Sequence, residues 1–234
     1  MVNEQTVHII MPVKDSPQTT EDSIRAIIRS GATLRVYDDF SAPENAARLD
    51  QLRDETGIEV VHISKHTEHP SPNYRFVLID AQRKCLQRGA HLIIVESDVV
   101  VQKNTLERLI GVVKPGVGIV AAVTTDEKGN INFPYEYART YREDGVCRKR
   151  LSFCCTLLTN ELLQAYDFSQ LDETKNWYDV TISHKSAELG FENILQLSNP
   201  VLHRPHSSRP WKQLKYTNPL LYYWRKFTQR RDKI

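Results

Sequence analysis

Five short apolar runs alternate with stretches of helical period through the first 123 residues, and this alternation constrains the chain more than any other feature. Val7–Met11, Leu34–Tyr37, Glu59–Ile63, Leu92–Val95 and Val117–Val123 are brief and rich in β-branched residues, the pattern of strands in a buried sheet. Between the first two, Thr20 reads as a helix cap, Glu21 and Asp22 suit the first turn, and Ile24, Ile27 and Ile28 repeat at helical spacing as far as Gly31. Ser41, Ala42, Pro43 and Glu44 satisfy a capping-box pattern for a second helix ending near Gly57. Tyr74–Arg88 carries Val77, Leu78, Ala81 and Cys85 on one stripe and stops at Gly89, and Asn104 opens a further helix through Leu106, Leu109 and Ile110. The order βαβαβαβαβ predicts an α/β domain with a mostly parallel sheet, helices on both faces and right-handed crossovers. After Thr124 the rhythm changes. Residues 131–150 lack helical period, Leu151–Leu158 reads as a strand, Asp179–Gly190 as an amphipathic helix and Ile194–Val201 as a late strand, so the second half is expected to be α+β.

Composition narrows the function classes. A 40% hydrophobic chain of 234 residues can bury the core of one domain with an appendage, and a net charge of +2 is too small to imply nucleic-acid binding. Cys85, Cys147, Cys154 and Cys155 show neither C-x-x-C nor zinc-finger spacing, and read as reduced thiols, with Cys154 and Cys155 as small buried hydrophobes. The start MVNEQTVHIIMPV lacks a secretory signal pattern and no apolar run reaches the ~20 residues of a membrane span, so a cytoplasmic protein is expected.

Acids gather where parallel strands end. Asp15, then Asp38 with Asp39, then Glu96 with Asp98 all follow predicted strands, and the carboxyl edge of such a sheet is where ligands bind. Carboxylates there suit Mg²⁺ or Mn²⁺ holding substrate phosphates, and Asp98 is the first candidate ligand. No G-x-G-x-x-G follows the first strand and no Walker loop is present, which argues against dinucleotide oxidoreductases and P-loop enzymes.

Four segments in order carry a resemblance: IIMPVKD at 9–15, VYDDFSAPEN at 36–45, LIIVESDVVV at 92–101 and WYDVTIS at 177–183. They resemble the nucleotide loop, base-binding turn, metal motif and late acidic motif of the family 2 glycosyltransferases, which are metal-dependent, inverting and of GT-A fold. The resemblance implies a Rossmann-like GT-A domain over 1–205, with a nucleotide-sugar half at 1–123 and an acceptor-side half at 124–205, followed by a basic aromatic tail at 206–234. It implies that Pro12, Val13, Asp15, Asp39, Glu96 and Ser97 bind the nucleotide sugar, that Asp98 binds Mn²⁺ or Mg²⁺, and that Asp179 is the general base. His203 is a further metal or diphosphate contact, or a structural histidine. Lys14 stands where many members have an aromatic residue, Glu96 where aspartate is more frequent, and Tyr178 where an acid often precedes the base. The Q-x-x-R-W motif of processive members is absent, which implies single-sugar transfer.

Other residues keep two readings. Arg75, at a helix start beside the expected pocket, suits either a diphosphate or a solvated helix end. His62, His66 and His69 read as a proline-flanked surface loop, not a metal cluster, and Trp177 as a sugar-stacking surface or a core residue. The tail combines Leu220, Leu221, Tyr222, Tyr223, Trp224 and Phe227 with Arg225, Lys226, Arg230, Arg231 and Lys233, which fits an anionic membrane surface or a packed helix. The expected partners are a nucleotide-sugar donor and a glycan or lipid-linked glycan acceptor. The competing classes are a sugar nucleotidyltransferase, against which the glycine-free loop PVKDSPQTT counts, and an inactive nucleotide- or glycan-binding protein, against which Glu96, Asp98 and Asp179 count.

Overall fold

β1 (Val7–Val13) lies inside the sheet, with β2 (Arg35–Asp38) and β4 (His91–Val95) parallel to it on either side. In the computed structural model, which describes residues 7–174, 177–204 and 218–228, β3 (Glu59–His62) extends this parallel set beyond β2. The strand runs two residues past the Met11 limit that Pro12 suggested. The reason is positional: β4 accompanies β1 only from Val7 to Ile10, so Pro12 falls where one side has no strand neighbour and a missing N–H costs no ladder bond.

Alternating side chains divide the core into two. Ile9, Met11, Ile93 and Val95 pack with Ile24 and Ile27 of α1 (Pro17–Arg29), Leu49 and Leu52 of α2 (Pro43–Thr56) and Leu106 and Leu109 of α4 (Thr105–Ile110). On the other face Ile10, Leu92 and Ile94 meet Val77, Leu78 and Ala81 of α3 (Tyr74–Arg88), Leu162 of α5 (Asn160–Ala165) and Ile182 of α6 (Tyr178–Glu188). Period-2 strands thus serve two helical layers, as a doubly covered sheet requires.

The second half departs from simple alternation. β6 (Val117–Thr125) is parallel to the opening strands but does not touch β4, because the antiparallel β8 (Cys155–Leu158) is inserted between them. The sheet order is β3-β2-β1-β4-β8-β6-β9-β5, where β5 is Val99–Val100 and β9 is Glu192–His203, and β7 (Gly145–Val146) pairs with β9. β9 is longer than the expected Ile194–Val201, since β6, β7 and β5 all give it hydrogen-bonding partners. Gly118 lets β6 approach α6: a Cβ there would meet Ser186 Oγ and stand 2.7 Å from Phe191 Cβ.

Two helix starts differ from the sequence reading. α1 begins at Pro17, ahead of Thr20, because Asp15 and Ser16 take left-handed φ values of 56° and 61° and Pro17 presets the first turn. Thr20 instead lies within α1 and donates Oγ1 to Ser16 O at 2.9 Å. α2 begins after Ala42, not Ser41, and its cap comes from Asp15, whose Oδ1 accepts from Ala42 N and Asn45 Nδ2 at 2.9 Å each.

The chain divides into Met1–Arg204 and Pro205–Ile234. In the second unit, helix Pro219–Thr228 exposes Leu220, Tyr223 and Trp224, while residues 205–217 and 229–234, with the expected 205/206 boundary and the basic Arg230, Arg231 and Lys233, lie outside the described residues. Among the described residues no helix is long and apolar enough to cross a membrane.

His8 gives the fold a pH dependence. Its Nε2 is buried without a hydrogen-bond partner, and burial, aided by Arg35, Arg88 and Lys84, pushes its imidazole down to about 4. The folded state therefore holds His8 neutral where the unfolded chain, titrating near 6.5, takes up a proton. The His8 contribution to stability is full above pH ~6.5 and is lost as pH falls toward ~4. Urea denaturation across that range should show falling stability, and His8→Leu should flatten that part of the profile; an unchanged slope would refute the assignment.

Candidate functional site

The carboxyl ends of β1, β2 and β4 open on one edge, and the turn Glu96–Ser97–Asp98 leaves β4 there. It is closed by Val99 N–H donating to Glu96 O at 3.1 Å. Ser97 is buried, and its carbonyl accepts from Ser23 Oγ of α1 at 3.1 Å, so the turn is tied to the helix beneath it.

β5 then does the decisive positioning. It pairs antiparallel with the end of β9, setting Val99 opposite His203, and Arg204 N–H donates to Asp98 O at 2.9 Å. His203 Nε2 consequently lies 3.5 Å from Asp98 Oδ2, with the ring only 2% exposed. Nδ1 is 2.6 Å from Phe133 O, and a carbonyl can only accept, so Nδ1 donates to it and Nε2 is the ring nitrogen turned toward Asp98. Asn132 Nδ2 donates to His203 O at 3.0 Å.

Glu96 continues the β4–β8 ladder through its N–H, which donates to Cys154 O at 2.9 Å. The Cys154 thiol in turn donates to Glu96 Oε2 at 3.3 Å, and burial together with the Glu96 charge holds it protonated, well above the usual thiol range. One donor atom from each of Glu96, Cys154 and His203 falls within 4.8 Å of the others. The carboxylate of Glu96 within this group, the Asp98 carboxylate beside His203 and the imidazole itself are donor types that fit Mn²⁺ or Mg²⁺.

The other predicted residues surround this edge differently. Pro12 and Val13 end β1, and Val13 O accepts Asp39 N–H at 2.8 Å. Asp15 caps α2, and those two hydrogen bonds hold its carboxyl below its usual range. Asp39 gathers the next loop: Oδ2 accepts from Ser71 Oγ at 2.7 Å and Asn73 N at 2.9 Å, and Oδ1 from Asn73 Nδ2 at 2.8 Å. Asp38 is buried against His62 Nδ1 at 2.7 Å. Lys14 Nζ reaches the carbonyls of Asp39 and Phe40, both at 3.3 Å. Asp179 sits in the first turn of α6, partly buried, with Oδ1 accepting from Val180 N at 2.9 Å.

Arg75 is turned toward the second half and not to the strand ends. Its Nε donates to Leu171 O at 2.8 Å, Nη2 to Ser169 O at 2.5 Å and Nη1 to Glu173 at 2.6 Å. The guanidinium thus holds the segment that precedes α6 and Asp179.

Sequence reasoning missed Cys154, Phe133 and Tyr135. Tyr135 is fully buried, its phenol exchanging hydrogen bonds with Ser152 O and N at 3.1 and 3.0 Å, and both Cys154 and Asp179 act electrostatically upon it. No local pattern marks these residues: a strand at Leu151–Leu158 is readable from the sequence, but its insertion between β4 and β6 is not.

No protein-family profile and no curated protein matches the sequence. Solved structures do. The mannosyltransferase PcManGT from Pyrobaculum calidifontis, in complex with GDP-Man and Mn²⁺, superposes with a TM-score of 0.65 at 14% identity, over 95% of this chain and 64% of its own. Glucosyl-3-phosphoglycerate synthase from Mycobacterium tuberculosis gives 0.57 at 16% identity over 90% of this chain and 74% of its own, in complex with Mn²⁺, UDP and phosphoglyceric acid. The same enzyme with Mg²⁺ and UDP gives 0.56. The protein thus has the GT-A type, Rossmann-like α/β fold, and it spans about two thirds of the length of the mannosyltransferase, 64%.

The Arg75 contacts have a measurable consequence. Hydrogen bonds from a charged donor are worth about 1.5–3 kcal/mol, so Arg75→Met should raise amide hydrogen exchange over residues 169–174 at least ~10-fold while leaving β1 and β4 protected. Exchange unchanged over 169–174 would show that Arg75 does not hold the segment.

Proposed function

We propose that the protein is an inverting glycosyltransferase that moves one sugar from a nucleoside-diphosphate sugar to a hydroxyl of a glycan or glycolipid. The observation that carries this reading is the placement of His203 against Asp98 at the carboxyl edge of a GT-A sheet. The likeness to structures holding GDP-Man or UDP with Mn²⁺ or Mg²⁺ supports it.

In this reading Asp98 and His203, with Glu96 beside them, hold Mn²⁺ or Mg²⁺. Such an ion supplies charge neutralisation for the departing nucleoside diphosphate. Pro12 and Val13 line the nucleotide at the end of β1, Ser97 backs the diphosphate side, and Asp15 and Asp39 shape the base end through the loops they gather. Arg75 acts through the 169–173 segment, not on the diphosphate. Asp179 takes the proton of the acceptor hydroxyl as that oxygen attacks the anomeric carbon from the face opposite the leaving group. The Val180 N–H bond orients its carboxylate from within the helix.

Release of nucleoside diphosphate from a panel of GDP- and UDP-sugars, with Mn²⁺ or Mg²⁺, tests the reading. Release should require acceptor, stop on chelation and give a product of inverted anomeric configuration by NMR. Asp179→Asn should lower kcat by about 10²-fold or more with nucleotide binding retained, since an amide cannot take up the proton. Full turnover in Asp179→Asn, or a product of retained configuration, would overturn the proposed mechanism.

The C-terminal helix adds a location. Exposed Leu220, Tyr223 and Trp224 in a segment that also contains Arg225 and Lys226 suit peripheral contact with an anionic membrane at the cytoplasmic face, near a lipid-linked acceptor. The full chain should co-sediment with phosphatidylserine vesicles and lose that property in high salt or on deletion of residues 220–234. Equal sedimentation of the truncated chain would exclude this role for the helix.

A further inference from the structure

The metal cluster contains a donor that the proposed reaction does not need. Cys154 is 2% exposed and ends the chain's approach to β8, where Glu96 N–H captures its carbonyl at 2.9 Å. That backbone bond fixes the thiol on the metal side of the turn, 3.3 Å from Glu96 Oε2 and within 4.8 Å of a ring nitrogen of His203. Among the described residues this is the one group of three such donors. Cys85, Cys147 and Cys155, also buried, belong to no such group.

Sulfur changes what the cluster selects. Carboxylates alone favour hard ions such as Mg²⁺, whereas a thiolate beside an imidazole and carboxylates favours borderline ions that accept sulfur and a four-donor shell. We propose that Cys154 is a ligand of this site and makes it one for Zn²⁺- and Co²⁺-type dications, which it holds more tightly than oxygen and imidazole donors alone allow. On binding, the Cys154 S–H and its hydrogen bond to Glu96 break, the proton leaves to buffer, and a metal–sulfur bond forms without any change of oxidation state. The proposal rests on the metal assignment to Asp98 and His203 and is independent of sugar transfer.

The test is spectroscopic and calorimetric. The full-length, chelator-treated protein is titrated with Co²⁺ and followed in the near-ultraviolet, where sulfur-to-cobalt charge transfer absorbs. A saturable band in the wild type, absent in Cys154→Ser, is expected. Calorimetry should show Co²⁺ and Zn²⁺ binding at least ~10-fold weaker in that variant, with Mg²⁺ affinity changed by less than about twofold. The variant keeps the other three cysteines, so a band persisting in it overturns the proposal. Co²⁺ binding without a band in the wild type also overturns it, while leaving the Asp98–His203 site standing. Failure to bind Mn²⁺, Mg²⁺ or Co²⁺ at all refutes both. An equal loss for Mg²⁺ and Co²⁺ in Cys154→Ser shows a structural role only. Should Cys154→Ser fail to fold, the wild-type spectrum decides alone, because Cys154 is the one thiol of the described residues set among other donors.

Discussion

The pairing of β5 with the end of β9 is the constraint on which the site depends. Two short ladder positions, Val99 with His203 and Val100 with Leu202, join a turn from the first half of the chain to the last strand of the sheet. Without them Asp98 would be an acid at a strand end like several others. With them, a histidine from the second half faces it at 3.5 Å with its tautomer set by the Phe133 carbonyl. The rest of the second half can be understood as what makes this possible. β8 fills the space between β4 and β6, and β6 carries β9 along its length in parallel register.

Much of the architecture was legible in the sequence because it follows from local periodicity. The first four strands, the three helices between them and the glycines that end α2 and α3 all appear in the order that period and punctuation give, with the end of β1 and the starts of α1 and α2 shifted by a few residues. What was not legible arises from distant partners. Asp15 caps a helix that begins 28 residues later, so the local capping-box pattern at Ser41 misplaced the start by one residue. Arg75 pairs with two carbonyls and a carboxylate 94–98 positions away in sequence, a relation that no spacing rule reveals. Cys154 reads as a small core residue, and it is one by burial. Its chemistry comes from Glu96, which only the β4–β8 pairing brings near.

The acids of the strand-end edge also divide by what surrounds them. Asp15, Asp38 and Asp39 accept hydrogen bonds from loop amides, hydroxyls and a histidine, and each closes a turn that would otherwise leave buried donors unmatched. Their first effect is to fix the loops that line the edge. Glu96 and Asp98 instead meet side chains brought from the second half of the chain, the Cys154 thiol and the His203 imidazole. The same residue type at neighbouring strand ends therefore does two kinds of work, and hydrogen-bond partners distinguish them where sequence motifs do not.

The position of His203 bears on how the protein is made. It is the last residue of β9, and Asp98 precedes it by 105 residues. At roughly 5–20 residues per second a ribosome needs about 5–20 s to cover that distance. Throughout this interval the nascent chain has its carboxylates and lacks the imidazole that completes the donor set. Under the proposed metal assignment, tight capture of an ion would wait until the sheet has its final strand, and loading with metal would report that synthesis and folding of the domain are finished.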